Sequence, residues 1–334
     1  PSTLGAVAPC DTARKFDMGK KLTVSLAAGV FVFGALLIPV GGQAHSVPDH
    51  GSKSMDLTSF SDAKPTKNLD LLFIHHSVGG QLLADPGPER DLADSIHSTH
   101  ENGGGLRKLL SAEGYAVHEV SYGSALGENT DLFDWLPKFQ TKMDQILHAR
   151  FNDEKLTDGV NEVVLFKSCY PNNRFVGMGE APGNAAGPEL TVWNARATFT
   201  KLLDEFKKQP DKLFVYLTAP PNAGGFDKEP LLKVIAKKAM GKPSTAEVLA
   251  ERARLAREFN TWMASPDGWL KGYPLKNVVV FDYYDMLTGG ESNFLAYPSG
   301  DGTDSHPTTE GQQRAAKAFV PFINRAVRRA GLSE

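Results

Sequence analysis

Five short runs, Leu69–His75, Ala116–Ser121, Glu162–Lys167, Lys212–Thr218 and Asn277–Asp282, are rich in Val, Leu, Ile, Phe and Tyr and are apolar at successive positions. A run that is apolar on both faces suits a parallel strand covered on both sides. Helical patterns lie between them, over 131–151 and 190–208 and after Ser244-Thr245-Ala246-Glu247, which has the form of a capping box. Val248, Leu255, Phe259 and Trp262 then recur at helical spacing. A last helix is predicted to open at Pro307, a residue suited to a first helical turn, with Ala315, Phe319, Phe322, Ile323, Ala326 and Val327 on one stripe. Strands alternating with helices predict a doubly wound α/β sheet. Four longer connections, roughly 83–105, 173–189, 219–243 and 285–305, are rich in Gly, Pro and Asn. They are expected over the carboxyl edge of the sheet, where ligands bind in open α/β folds.

The N-terminal part has a different character. Met18-Gly19-Lys20-Lys21 precedes an uncharged apolar run, Leu22 to Val40, and then Gly42-Gln43-Ala44. That order is the basic region, apolar region and small-residue cleavage site of a secretory signal. Residues 1–17 are therefore read as an upstream extension, 18–44 as a signal peptide, 45–67 as a linker and 68–334 as the folded domain. The expected location is secreted or periplasmic, with no stable membrane association after cleavage. A retained anchor is the alternative, because 19 apolar residues can just span a bilayer. Cleavage would remove Cys10 and leave Cys169 alone, so no intrachain disulfide could form and the core must supply the stability. The chain is 41% hydrophobic and 22% charged with a formal net charge of −3, which gives no electrostatic footprint for nucleic acid.

At the end of the first run the sequence reads LLFIHHSVGG, residues 71–80. A buried strand that breaks into two histidines, a serine and two glycines could be a nucleophile's turn, a metal site or a satisfied polar end to a core strand. His75 and His76 cannot face the same side of an extended chain. Far downstream, GTDSHPTTEGQ puts Asp304 and His306 in a loop before the last helix. A serine hydroxyl needs a base to take its proton, and a carboxylate that orients the base stabilises the resulting imidazolium.

The motifs IHHSVGG, GENTDLFDW, FKSCYPNN and DSHPTTEGQ, in this order at strand ends, resemble the SGNH/GDSL hydrolase superfamily. More narrowly they look like an exported bacterial branch with His-His-Ser in place of Gly-Asp-Ser. The resemblance implies a three-layer flavodoxin-like fold with a five-stranded, mostly parallel sheet. It makes Ser77 the nucleophile, His306 the base and Asp304 its partner. The oxyanion hole would draw on the N–H groups of Ser77 and Gly127 and a side-chain amide of Asn172 or Asn173. The family's acid stands three residues before its histidine, where this chain has Thr303, so Asp301 is the alternative to Asp304. His76 is a possible accessory. No cofactor and no metal are implied.

The expected function is hydrolysis of short acyl esters, acetyl above all, on carbohydrate. The alternatives are an esterase of the lipase or lysophospholipase type, a metal-dependent hydrolase using His75, His76 and His306, and a non-catalytic carbohydrate-binding envelope protein on the same fold. Small-molecule or polysaccharide esters are the expected partners.

Overall fold

The structure, a computed structural model, describes residues 56–225 and 229–334. The signal-like segment lies outside the described residues. The five apolar runs form one parallel sheet: β1 (Leu69–Ile74), β2 (Tyr115–Val120), β3 (Val163–Phe166), β4 (Leu213–Leu217) and β5 (Val278–Phe281). Their spatial order is β2-β1-β3-β4-β5, the flavodoxin-like arrangement. Every pairing is parallel, with Leu72 held between His118 and Val164.

Alternation along the strands decides the layers. Leu72 and Ile74 of β1, with Val164, Phe166, Phe214 and Tyr216, enter one core. Against it pack α3 (Trp135–Leu147), α4 (Val192–Phe206) and α6 (Thr245–Ala264), through Phe139, Phe199, Phe206 and Phe259. Leu71, Phe73, Val163, Leu165 and Val215 enter the other. It is closed by α1 (Ser77–Leu83), α2 (Leu106–Ala112), α7 (Tyr283–Thr288) and α8 (Thr309–Arg329). β1, β3, β4 and β5 are thus buried on both faces, which is why those runs read as continuously apolar, whereas the edge strand β2 leaves Ala116 exposed.

The capping box forms: Ser244 Oγ accepts from the Glu247 N–H, and the Glu247 carboxylate accepts from the Ser244 N–H. The last helix starts later than Pro307 suggested. Pro307 pairs with Pro298 in a two-stranded antiparallel ribbon, so Thr308 caps α8 and Thr309 opens it. The later part of the segment read as a linker, residues 56–67, lies against α8. Leu57 is buried, Asp62 pairs with Arg325 at 2.6 Å, and Arg328 donates to the carbonyls of Ala63 and Lys64.

The chain leaves β1 toward β2 and later returns to the other side of β1 for β3. The carboxyl end of β1 is therefore the topological switch point, and the HHSVGG turn stands there. His75 is fully buried between Phe73 and the carboxylate of Glu119 on β2. The two glycines have steric reasons. A Cβ on Gly79 would meet the His75 side chain, and one on Gly80 would run into the carbonyl of Ser95. Ser95 lies in the turn of an antiparallel hairpin, Arg90–Ala93 and Ile96–His100, packed on α1 within the stretch 83–105 read as a connection.

Gly80→Ala is expected to destabilise the fold by about 1–3 kcal/mol, because the obstacle is backbone and not a flexible side chain. Chemical denaturation of the two proteins checks it, and an unchanged midpoint would contradict the packing of α1 on the hairpin.

Candidate active site

Ser77 is the first residue of α1, and His76 before it has extended backbone angles. The strand thus ends, turns and enters a helix within three residues, leaving the Ser77 side chain half-buried on the carboxyl edge. His306 arrives from the ribbon formed by Pro298–Ser299 and Asp304–Pro307. His306 Nε2 lies 3.1 Å from Ser77 Oγ, and His306 Nδ1 lies 2.7 Å from Asp304 Oδ1. An ionised carboxylate only accepts, so Nδ1 carries the proton and Nε2 is left to accept from the Ser77 hydroxyl. The Asp304 oxygen also accepts from the His306 backbone N–H at 3.0 Å. That tight turn makes the two-residue spacing workable. Asp301 faces away from the ring, since its carboxylate accepts from the N–H and hydroxyl of Thr303.

The oxyanion donors named from sequence fare unequally. The Gly127 N–H donates to Ser124 Oγ, and its carbonyl takes the ring N–H of His76. A glycine is needed there because a Cβ would strike the Ser121 backbone. Asn173 donates from its side chain to the carbonyls of Ala219 and Pro220 and accepts from Asn260. Both residues are corrected from donors to structural ties, because their N–H groups are already spent. Asn172 accepts from the Leu132 N–H and donates to Asp131 Oδ1, and a primary amide has a second hydrogen to give. The Ser77 N–H, at the first position of a helix, has no partner within it.

His76 stacks on Tyr122 with ring centroids 3.5 Å apart, and its Nδ1 is 3.1 Å from the Thr130 hydroxyl. Burial, with the nearby charges of Lys167, His75 and Lys138 outweighing the Gly127 bond, pushes its pKa down to about 3. It is a neutral clamp on the 121–130 loop and not a base. Lys138 holds the same loop by donating to the carbonyls of Leu126 and Glu128. Among the described residues no group of three His, Cys, Asp or Glu side chains could hold a metal ion.

Three neighbours were not given a place in the site by the sequence reading. Cys169 Sγ is 3.8 Å from Ser77 Oγ, and the fully buried Lys167 Nζ is 3.6 Å from that sulfur. Tyr170 meets the His306 ring edge-on at 5.3 Å. Beneath the turn, His75 Nε2 binds Glu119 Oε1 at 2.9 Å while Arg107 binds Oε2. A carboxylate next to His118 inside the mostly apolar run YAVHEV was the one available hint. Burial alone would raise the Glu119 pKa, but the bonds and charges of His75 and Arg107 outweigh it and hold it below 4.5.

No family model matches the sequence, and no curated protein does either. Among solved structures, the chain is similar to the periplasmic domain of a lipopolysaccharide acetyltransferase from Salmonella ser. Paratyphi A. Identity is 14%, over 78% of this chain and 85% of that one, with a TM-score of 0.37. It is also similar to a catalytic mutant of an acetylxylan esterase from Geobacillus stearothermophilus. There identity is 13%, over 80% of this chain and 96% of that one, with a TM-score of 0.36. At these identities neither substrate nor reaction transfers.

With Ser77 as a nucleophile, Asp304→Asn would lower turnover of an ester by about 10⁴, since an amide can hold the wrong tautomer of the base. Asp301→Asn should stay within about threefold, as expected of an exposed side chain facing its own loop. Initial rates on p-nitrophenyl acetate test the ranking, which fails if the two variants lose similar amounts.

Glu119→Gln should cost about 3–5 kcal/mol at neutral pH, by removing a buried carboxylate that binds the buried His75 and the partly exposed Arg107. The Glu119 pKa is lowered in the folded state. Its contribution is therefore complete above the unfolded value near 4.5 and is lost as pH falls through the folded value. Denaturation midpoints followed from neutral to acid pH should show the parent losing that margin and the variant lacking it throughout.

Proposed function

We propose that the chain is a serine esterase that removes short acyl groups, acetyl above others, from carbohydrate. The observation that carries this reading is the Ser77–His306–Asp304 chain of hydrogen bonds at the switch point of the sheet. Ser77 Oγ attacks the ester carbonyl carbon while its proton passes to His306 Nε2, and Asp304 stabilises the imidazolium. The carbonyl oxygen becomes an oxyanion, for which the Ser77 N–H and the second Asn172 amide hydrogen are the proposed donors. One such preorganised donor is worth about 10²–10³ in rate. The alkoxide leaves with the His306 proton, giving an acyl-Ser77 ester and a free sugar hydroxyl. Water then attacks the acyl group, giving its proton to His306, and the carboxylic acid departs as Ser77 recovers its hydrogen.

The preference for sugar esters rests on the rim of the site. Tyr170 stands beside His306, Arg174 lies over the Tyr170 ring, and Asn222 binds both the Arg174 guanidinium and the Tyr170 carbonyl. An aromatic edge with amide and guanidinium groups suits hydroxyl-bearing substrates. Long acyl chains would instead gain about 0.8 kcal/mol for each methylene buried in an apolar lining. Export, implied by residues 18–44, remains part of the proposal.

Ser77→Ala is expected to fold normally, to lose labelling by a fluorophosphonate, and to lose about 10⁶ in turnover. Activity within tenfold of the parent would remove Ser77 from its role. Across p-nitrophenyl esters, kcat/KM should be highest for acetate and fall with chain length. A maximum at octanoate or longer would favour the lipase reading.

A further inference from the structure

Among the described residues, α5 (Leu231–Ala239) is the helix that buries no residue. Leu231, Leu232 and Ile235 are 74%, 81% and 54% exposed, and Met240 just beyond is 62% exposed. With Ala239 they share one side of the helix, at spacings of one, four and eight residues. Lys233 and Lys237 lie on the opposite side, paired with Glu229 before the helix. From 229 to 243 there are four lysines and one carboxylate, in a chain whose net charge is −3. A large apolar face left in water marks a surface that something covers.

We propose that α5 docks reversibly on an anionic lipid surface, its apolar side entering the headgroup boundary and its lysines meeting lipid phosphates. This departs from the expectation of no membrane association. Leu231, Leu232 and Ile235 form an apolar side bordered by Lys238, three residues on from Ile235, with Lys242 just beyond the helix, which is the pattern of a helix lying in a bilayer interface. Lysine stems can bury against the apolar boundary while their charge stays among the headgroups. A second copy would fit less well, because docking apolar side to apolar side would enclose the Lys238 of each copy, which lies at that side.

Position supports the same occupant. The other exposed large apolar residues among those described are Leu92 and Val176. Together with α5 they come from three connections bordering the His306 ribbon. Glu101 and Asn102, in the connection that carries Leu92, bond Thr309 and Ser299. Arg174, two residues before Val176, bonds Asn222, and Ala223 of the α5 connection bonds Ser305. The carboxyl edge would thus face the lipid, within reach of esters held at an envelope surface. The docking itself does not depend on ester hydrolysis.

The test places an environment-sensitive fluorophore at Leu232→Cys in the full chain carrying Cys10→Ser, Cys169 being buried. Vesicles of phosphatidylcholine with phosphatidylglycerol are compared with phosphatidylcholine alone at low salt. The fluorophore should shift to the blue on anionic vesicles, with about tenfold weaker binding on neutral ones and at high salt. The same label at Lys271→Cys, exposed near the start of β5, should not shift. Leu231→Ser with Ile235→Ser, or Lys238→Gln with Lys242→Gln, should weaken binding while p-nitrophenyl acetate hydrolysis is unchanged. No shift, equal shifts on both vesicles, or equal binding by the serine variant overturns the proposal. A shift that grows with protein concentration without vesicles overturns it in favour of a second copy.

Discussion

The hydrogen bond between Ser77 and His306 joins residues 229 positions apart, and neither end has slack. Ser77 is fixed because β1 is buried on both faces and because Gly79 and Gly80 let α1 lie against the strand end and the hairpin. His306 is fixed by the ribbon, whose Ser305 accepts from the Ala223 N–H and whose Pro298 and Pro307 are paired. Gln312 ties the two halves. Its amide donates to the Val78 carbonyl at 3.3 Å and accepts from the Tyr283 hydroxyl at 2.6 Å. The packing of α8 across α1 and α7 thus sets the distance on which proton transfer would depend. A misplacement of about 1 Å in such a pair can cost on the order of 100-fold in rate.

The five strands of the main sheet were legible in the sequence to within about a residue at each end, most of them because burial on both faces writes the same apolar signal at every position. The short strands Arg90–Ala93 and Ile96–His100, by contrast, fell inside a stretch read as a connection. That Ser77, His306 and Asp304 meet was also legible, since few side-chain types can form such a hydroxyl–imidazole–carboxylate chain. What the sequence concealed is where each backbone N–H goes. Gly127 stands in a motif that resembles an oxyanion block, yet its glycine answers to a close approach with the Ser121 backbone. The start of α8 slipped by two residues because Pro307 belongs to a ribbon with no hydrophobic period of its own. Helix α5 was missed for a related reason. It buries no stripe, so the periodicity that marks a core-facing helix had nothing to point toward.

Beneath the site, polar groups are buried where an ordinary α/β core would have aliphatic ones. Glu119 serves His75 and Arg107, Lys138 serves two loop carbonyls, and Lys167 reaches the Cys169 sulfur. Burial pushes the Lys138 pKa down to about 7, and pushes that of Lys167 down against the opposing pull of Cys169. Each group costs desolvation that an apolar residue would not. The return lies in direction, because hydrophobic contact is indifferent to rotation whereas a carbonyl held by an ammonium is fixed in angle. The Leu126 and Glu128 carbonyls are held in this way, and the Gly127 carbonyl between them is held by His76. With three successive carbonyls pinned, the 126–132 loop carries Asp131 and Leu132 to Asn172. The Asn172 side-chain amide proposed to serve the site is thereby oriented from behind by groups away from Ser77.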